Sequence, residues 1–543
     1  MDFGFNPLQY KYPSRRSVMY GTKGMVCSSQ PLAAQAGLDM IKKGGNAVDA
    51  AVATAIALTI LEPTSNGLGS DAFAQVWVGG KLYGLNGSGY APELLTPDCA
   101  VLKDKTAIPE RGWESVTVPG AVSAWAELHK RFGKLPFAEL FAPAIEYAEN
   151  GYPVSPVISR LWHEGLGVFA PYKNNAAFKG WFDTFTENGE TPAAGTVAKL
   201  PKQAKTLRLI AGSYGEAFYR GEIAAAIDEF SCSTGGYIRK SDLAAYRAEW
   251  VEPISIDYHG YRVWELPPNG HGIVALMALN ILKGFEHGGK DCAENLHHEI
   301  EAMKLAYAAG RKYVADPRYM KAQVKELLSD EYTAKRRALI GEQAIMPRPG
   351  NPFCGGTVYL CTADGEGNMV SYIQSNFQGF GSGIVVPDYG IAFNDRASGF
   401  TLDPQHDDYL VPLKKPYHTI IPGFLTKDGN AVGPFGVMGG YMQPQGHLQV
   451  IHNVIDFGMN PQEALDCPRW QWIEGKKVMV EAGVGEELIN ALRARGHELI
   501  VTDDFIDFGR GQMIWRNDDG VLVGATEPRS EERRVGKECR SRW

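Results

Sequence analysis

One pattern two-thirds of the way along the chain restricts what it can fold into. Gly355 and Gly356 precede an apolar, β-branched run, Thr357-Val358-Tyr359-Leu360-Cys361-Thr362-Ala363. A polar turn, Asp364-Gly365-Glu366-Gly367-Asn368, then leads into a second run from Met369 to Ile373. β-Branched and aromatic runs on either side of such a turn specify a hairpin, with Thr357 at the mouth of its first strand. If the Gly356–Thr357 peptide bond is cut, Thr357 acquires an α-amine beside its own hydroxyl. That amine has an unperturbed pKa of about 7.7–8.0, so nucleophile and base then belong to one residue. The plainer reading is a strand threonine after a tight turn.

Upstream, Gln30 to Leu61 carries helical periodicity, with Gly44-Gly45 dividing two helices and Asn46 placed to cap the second. The second helix, VDAAVATAIALTIL, is apolar almost all round and belongs between layers. Gly67, Gly69 and Ser70 make a tight connection into the strand FAQVWVGG, and they lack the dinucleotide-binding fingerprint. Leu82 to Asn86 reads as a further strand, turned by Gly87-Ser88-Gly89. Val118 to Tyr246 is rich in helix signals, although Trp162 to Val197 reads as loops and short helices. Glu252 to Leu266 alternates as a strand pair around His259-Gly260, followed by helices at Gly272–Leu282 and His297–Tyr313. The second of these carries His297, His298, Glu299 and Glu301, but zinc takes ligands at i and i+4 or assembled from elsewhere. A polar helix face is expected there, with no metal.

Arg336 to Pro352 is charged and proline-containing and reads as the exposed connection to the cleavage point. Beyond the hairpin, strands are expected at Gly383–Phe393, Ile420–Leu425 and Ala431–Val437. Met438-Gly439-Gly440 then turns into the helix QPQGHLQVIHNVIDFG, with Pro444 in its first turn. The N–H groups of Gly439 and Gly440 at a helix start suit an oxyanion hole; a tight turn that needs two glycines is the alternative. His447 on that helix is assigned a structural role. Short strands and helices follow to Thr526. After Pro528 the composition changes abruptly to RSEERRVGKECRSRW, so residues 529–543 are expected to be a non-native tail.

Composition bears on partners and compartment. A net charge of −8 offers no basic stripe for nucleic acid. No uninterrupted apolar stretch reaches membrane-spanning length, so no membrane partner is expected. The amino terminus lacks an apolar signal region, and eight scattered cysteines form no disulfide framework, which together predict a cytoplasmic, reduced protein.

GGT before a hairpin, then FGSGIV and GIAFND, resembles the γ-glutamyltransferase family of N-terminal nucleophile hydrolases. In the family's order stand QPLAAQAGLDMIKKGGNAVDAAVATAIALTILEP, VPGAVSAWAELHKRFGKLPFAELFAPAIEYAENGYPVS, GGYIRKSDLAAY, EAMKLAYAAGRKYVADP and GVMGGYMQPQGHLQV. The resemblance implies an α+β fold, a four-layer αββα sandwich made by self-cleavage, with residues 1–356 as large subunit and 357–528 as small subunit. The partner is then the chain's own cleaved half, and two such heterodimers could pair. No cofactor is implied. Thr357 is the implied nucleophile in both cleavage of Gly356–Thr357 and turnover, Ser375 orients its hydroxyl, and Gly439 and Gly440 hold the oxyanion.

At the substrate positions the chain departs from the family. Ser88 stands where relatives use a carboxylate-binding arginine, and Gly399 where an aspartate holds the α-amine. Arg396 replaces a glutamine and Phe377 an asparagine. Thr419 matches one of a pair of substrate-contacting serines, and His418 replaces the other. The implied substrate is a small amide whose acyl part carries a carboxylate for Arg396 and lacks the glutamyl amine. The pattern resembles most the oxamate amidohydrolase branch, yielding oxalate and ammonia. The alternatives are a γ-glutamyltransferase or glutathione hydrolase with a rebuilt clamp, and an unprocessed binding or structural homologue.

Overall fold

The computed structural model describes residues 16–347, 356–529 and 533–536. Gly355, the end of the connection after Pro347 and most of the tail lie outside them. The expected hairpin is present: Gly356–Asp364 pairs antiparallel with Met369–Phe377, Val358 opposite Gln374 and Ala363 opposite Met369. It forms the middle of a seven-stranded antiparallel sheet, here sheet I. The order is Arg533–Gly536, Gly24–Ser28, Gly356–Asp364, Met369–Phe377, Asp71–Val78, Lys81–Gly87 and Glu249–Val251. Sheet II, also seven-stranded and antiparallel, runs Met19–Gly21, Leu522–Thr526, Arg510–Arg516, Asn430–Met438, Gly423–Lys427, Tyr261–Glu265 and Ile254–Tyr258.

Alternation along the strands decides how these sheets stack. Tyr359, Cys361, Ala363, Met369 and Ile373 of sheet I pack against Phe424, Met438, Ile514 and Leu522 of sheet II. The intervening residues Val358, Leu360, Val370 and Tyr372 face the other way, into helices Pro31–Lys42 and Ala47–Leu61. Sheet II turns Val263, Leu425, Phe435 and Val437 towards helices Gly272–Leu282, Ala293–Tyr313 and Gln443–Ile455. The result is helix, sheet, sheet, helix. A period of two on strands buried on both faces requires two separate cores, and each strand supplies both.

The Ala47–Leu61 helix is buried at all fifteen positions, as its uniform apolarity required. Its start is fixed twice. Asn46 accepts from the N–H groups of Val48 and Asp49, while Asp49 accepts from Asn46 N, a reciprocal capping box. The buried Asp364 carboxylate, from the hairpin turn, accepts from Ala47 N at 3.0 Å, placing a negative group at the helix's positive end. The hairpin and the central helix are thereby tied together. Gly69 permits a close crossing: a Cβ there would lie 2.3 Å from Ala392 O.

Some expectations shift. In Trp162 to Val197, Lys179–Phe185 is a short helix as expected, while the longer helix Pro156–Phe169 runs into the segment because Trp162, Phe169, Trp181 and Phe185 form an aromatic layer over Phe380. Arg336 and Arg337 end a helix, Asp330–Arg337, and are not loop. The boundary at Pro528 falls inside an ion-pair network. Arg529 is buried, pairs with Glu481 and Glu527, and donates to Cys467 O. Arg533–Gly536 forms the edge strand beside Gly24–Ser28. The six described cysteines are free thiols. Among the described residues no helix is long and apolar enough to cross a membrane.

Candidate active site

Thr357 sits where the hairpin register breaks. Pairing from Val358 onward puts Thr357 directly across from Ser375, yet Gly356 lies opposite Phe377, so Asn376 is the extra residue of a bulge. Thr357 and Ser375 therefore share a face, and Thr357 Oγ1 donates to Ser375 Oγ at 3.1 Å. Ser375 Oγ also accepts from Phe377 N at 2.8 Å. Thr357, Ser375 and Asn376 are fully buried. Gly356 and Thr357 open the same strand.

The bulge also sets Phe377, whose φ of +83° is unusual for a residue with a side chain. That conformation directs its ring to Arg396, whose guanidinium carbon lies 4.6 Å from the ring centroid. Arg396 follows Asn394 and Asp395, which lock the loop. Asn394 Oδ1 accepts from Arg396 N and Thr117 Oγ1, and Asp395 pairs with Arg111 at 3.0 Å. Arg396 is 1% exposed, and its Nη1 donates to Thr419 Oγ1 at 2.7 Å. Its Nε and Nη2 have no hydrogen-bond partner among the described residues. Burial lowers its pKa to about 10, opposed by the carboxylates of Asp71 and Asp395. It remains a cation at neutral pH, with two of its donors unspent.

His418 and Ser88 enter from the other side of this cluster. His418 Nε2 lies 3.0 Å from Asp71 Oδ2, and both groups are fully buried. Burial pushes Asp71 up to about 7 against the pull of Arg396, and pushes His418 well below its ordinary range. Ser88 Oγ donates to Asn86 Oδ1 at 2.6 Å and accepts from Asn269 Nδ2. Asn269 O in turn accepts from His418 N. Ser88 and His418 are thus bound up with each other's neighbours. Asp71 and Asn269 join them, and neither was singled out in the sequence. The signal for Asp71 was its place directly after the Gly69-Ser70 connection, at the start of a buried strand.

Gly439 and Gly440 take φ values of +137° and +56°, both in the region that favours glycine. A Cβ on Gly439 would stand 3.1 Å from the Cα of Gly509. Met442 N bonds to Gly439 O and closes a short 3-10 turn running into Gln443–Ile455. Gln443 Oε1 accepts from Ile421 N, two residues past Thr419, and the Tyr441 ring stacks on Tyr417. These contacts bring the glycine turn against the Arg396–Thr419 cluster. His447 is remote in role: its Nδ1 pairs with Glu265 at 2.6 Å, and burial lowers it to about 3.

A cavity of about 870 Å³ lined by Trp162, Phe185 and Leu200 lies away from this cluster, and neither Thr357 nor Arg396 lines it. Chemically, the site holds a hydroxyl oriented by a second hydroxyl, a pair of glycine N–H groups on an adjoining turn, and a buried cation with free donors. No cofactor ligand set is evident among these residues.

Known proteins resemble this chain over most of its length. The gamma-glutamyltranspeptidase family model matches residues 33–536. The chain is 36% identical over 532 residues to the glutathione hydrolase-like YwrD proenzyme of Bacillus subtilis, covering 95% of this chain and 99% of that one. It is 33% identical over 531 residues to the oxamate amidohydrolase proenzyme of Klebsiella pneumoniae, covering 95% and 98%. Among solved structures, cephalosporin acylase from Bacillus halodurans superposes with a TM-score of 0.94 at 57% identity, over 98% of this chain and 99% of that chain. The α+β N-terminal nucleophile hydrolase fold that the family resemblance implied is the fold of this chain. By sequence and by architecture, this chain belongs to the gamma-glutamyltranspeptidase family.

Proposed function

We propose that the chain is a self-processing amidohydrolase that uses Thr357 as nucleophile on a small amide bearing a carboxylate, with oxamate as the leading substrate. In processing, Thr357 Oγ1 attacks the Gly356 carbonyl, the C–N bond breaks as its nitrogen takes the hydroxyl proton, and water hydrolyses the resulting ester. Gly356 then ends the large subunit in a carboxylate, and Thr357 begins the small subunit with a free amine. In turnover that amine takes the hydroxyl proton as Oγ1 adds to the substrate carbonyl, then delivers it to the leaving ammonia. Gly439 and Gly440 N–H groups receive the oxyanion. Water, activated by the same amine, releases the acid. Naming of the related chains as proenzymes supports the processing step.

The observation that carries the substrate class is Arg396, a buried cation with Nε and Nη2 unspent, joined to the Thr357–Ser375 pair through Phe377. Nε and one Nη form the fork that grips a carboxylate through two parallel hydrogen bonds. Ser88, committed to Asn86 and Asn269, supplies no cation at the position where γ-glutamyl enzymes bind their carboxylate. Gly399 supplies no carboxylate for an amine. A second reading, an acylase or glutathione hydrolase acting on a larger amide, draws on the cephalosporin acylase and glutathione hydrolase-like relatives. Intact mass and N-terminal sequencing test the cut at Thr357. Ammonia release from oxamate, compared with hydrolysis of a γ-glutamyl anilide and a cephalosporin-type amide, tests the substrate. Oxamate turnover at least 10-fold more efficient than the others supports the first reading; the reverse order removes it.

A further inference from the structure

Outside the active site, at the outer end of helix Gln443–Ile455, three histidines and two carboxylates converge. His452, Asp456, His287 and His259 come from three separate stretches of chain. His452 and Asp456 lie four residues apart, on one face of the helix and its C-cap. His287 arrives from the segment between Leu282 and Ala293, and His259 from the turn between strands Ile254–Tyr258 and Tyr261–Glu265. One ligand atom each from His287, His452 and Asp456 lies within 4.8 Å of the others. His452 Nε2 and Asp456 Oδ2 are 3.8 Å apart, and the His287 and His452 rings have centroids 4.5 Å apart.

The polar neighbours divide into ligands and supports. His452 Nδ1 lies 2.6 Å from Glu299 Oε1, and Trp470 Nε1 donates to Glu299 Oε2 at 2.7 Å. Glu299 thus holds the Nδ1–H tautomer and leaves the buried Nε2 with its lone pair aimed inward and no hydrogen-bond partner. A carboxylate behind a histidine is the usual second layer of a zinc ligand, which it orients and makes more basic. Asp456 is braced likewise: Tyr258 donates to its Oδ2 at 2.7 Å, and His259 Nδ1 lies 2.5 Å from its Oδ1. Both ring nitrogens of His287 are buried without a hydrogen-bond partner, although such groups are costly to leave unmade. Lys290, over the Phe457 ring at 5.8 Å, is the nearby cation, and two carboxylates outweigh it.

We propose that His287, His452 and Asp456 form a binding site for a divalent transition metal of the zinc class. Two imidazoles and a carboxylate suit such an ion, with the fourth position left to water. With metal–ligand bonds of about 2.0–2.2 Å, the donors need draw together by roughly 1 Å, within reach of χ rotations of the half-buried His287. The ion would clamp the segment around His287 and, through Asp456, the His259 turn onto the helix that starts at the Gly439-Gly440 turn. This departs from the expectation that the chain carries no metal. It also lies off the His297–Glu301 face that prompted that question. There His297 Nδ1 and His497 Nε2 bond to each other at 2.8 Å, His297 Nε2 is held at Gly341 O, and Glu301 pairs with Lys304 at 2.7 Å, which leaves His497 Nδ1 alone of these histidine nitrogens without a partner among the described residues.

The test titrates chelator-treated full-length protein with zinc chloride by calorimetry and counts retained metal by mass spectrometry after desalting. One zinc per chain is expected, with His287→Gln and Asp456→Asn each weakening binding by about 100-fold or more, and Glu299→Gln by roughly 10–100-fold. His297→Gln should leave it unchanged. Because Asp456→Asn could impair folding, His287→Gln on its half-buried loop is the decisive variant. Zinc should raise the Tm of the wild type and not of that variant. Absence of saturable binding up to about 1 mM, or binding unaltered in His287→Gln, would overturn the assignment.

Discussion

The hydroxyl of Thr357 donates to that of Ser375 across 3.1 Å because a one-residue bulge after Ser375 leaves these two directly opposed on the buried face of the hairpin. Ser375 Oγ is itself held by Phe377 N, so the acceptor cannot swing away. On the proposed function this pair sets the attack trajectory in both processing and turnover. Thr357→Ala is expected to give one uncut band at 59.4 kDa and no activity. Ser375→Ala should still cut, with processing and kcat each slowed about 10- to 100-fold, matching a lost hydrogen bond of roughly 1–3 kcal/mol. Time-resolved gels and single-turnover kinetics read both.

Arg396 offers a test of substrate class. Arg396→Lys keeps the charge but loses the fork, and kcat/KM on oxamate should fall about 100-fold, mostly through KM. Arg396→Gln should fall further. Neither change should affect cleavage at Thr357 by more than a few-fold, since processing has no substrate carboxylate to bind. Equal losses in processing and turnover would mark Arg396 as structural.

Asp71 gives a sign to the pH dependence of stability. Its folded pKa is about 7, raised by burial, against about 3.9 in an unfolded chain. The folded chain binds this proton more tightly, so the stabilisation is fully present below about pH 4 and is lost as pH rises through 7. Asp395, raised to about 6 by burial, adds in the same direction. Urea midpoints between pH 4 and 8, in the uncut Thr357→Ala background, should fall more steeply with Asp71 than with Asp71→Asn. The difference should reach at most about 4 kcal/mol. A slope unchanged by Asp71→Asn would contradict this.

The cap at Asn46 is a stability prediction independent of chemistry. Its side chain accepts from Val48 N and Asp49 N and donates to Phe132 O. Asn46→Ala should cost about 2 kcal/mol, with urea denaturation of the same uncut background as the measurement. Asn46→Asp, which keeps the acceptor and loses the Phe132 contact, should cost about half as much.

Much of the fold was legible because its signals are local. The Asp364–Asn368 turn, the Asn46 cap, the all-apolar Ala47–Leu61 helix and the glycine pair before Gln443 each follow from residue types within a few positions of one another. The family motifs singled out Thr357, Ser375, Arg396 and the two glycines because each motif is itself a short run of residues. The pairing of Asp71 with His418, 347 positions apart, and of His452 with His287 had no such signal. Nor did the burial of Arg529. Sequence determined which groups are present and which way each strand alternates. Tertiary structure alone decided which buried charges meet. That is because a side chain's pKa and its free hydrogen-bonding capacity depend on neighbours supplied by other layers of the sandwich.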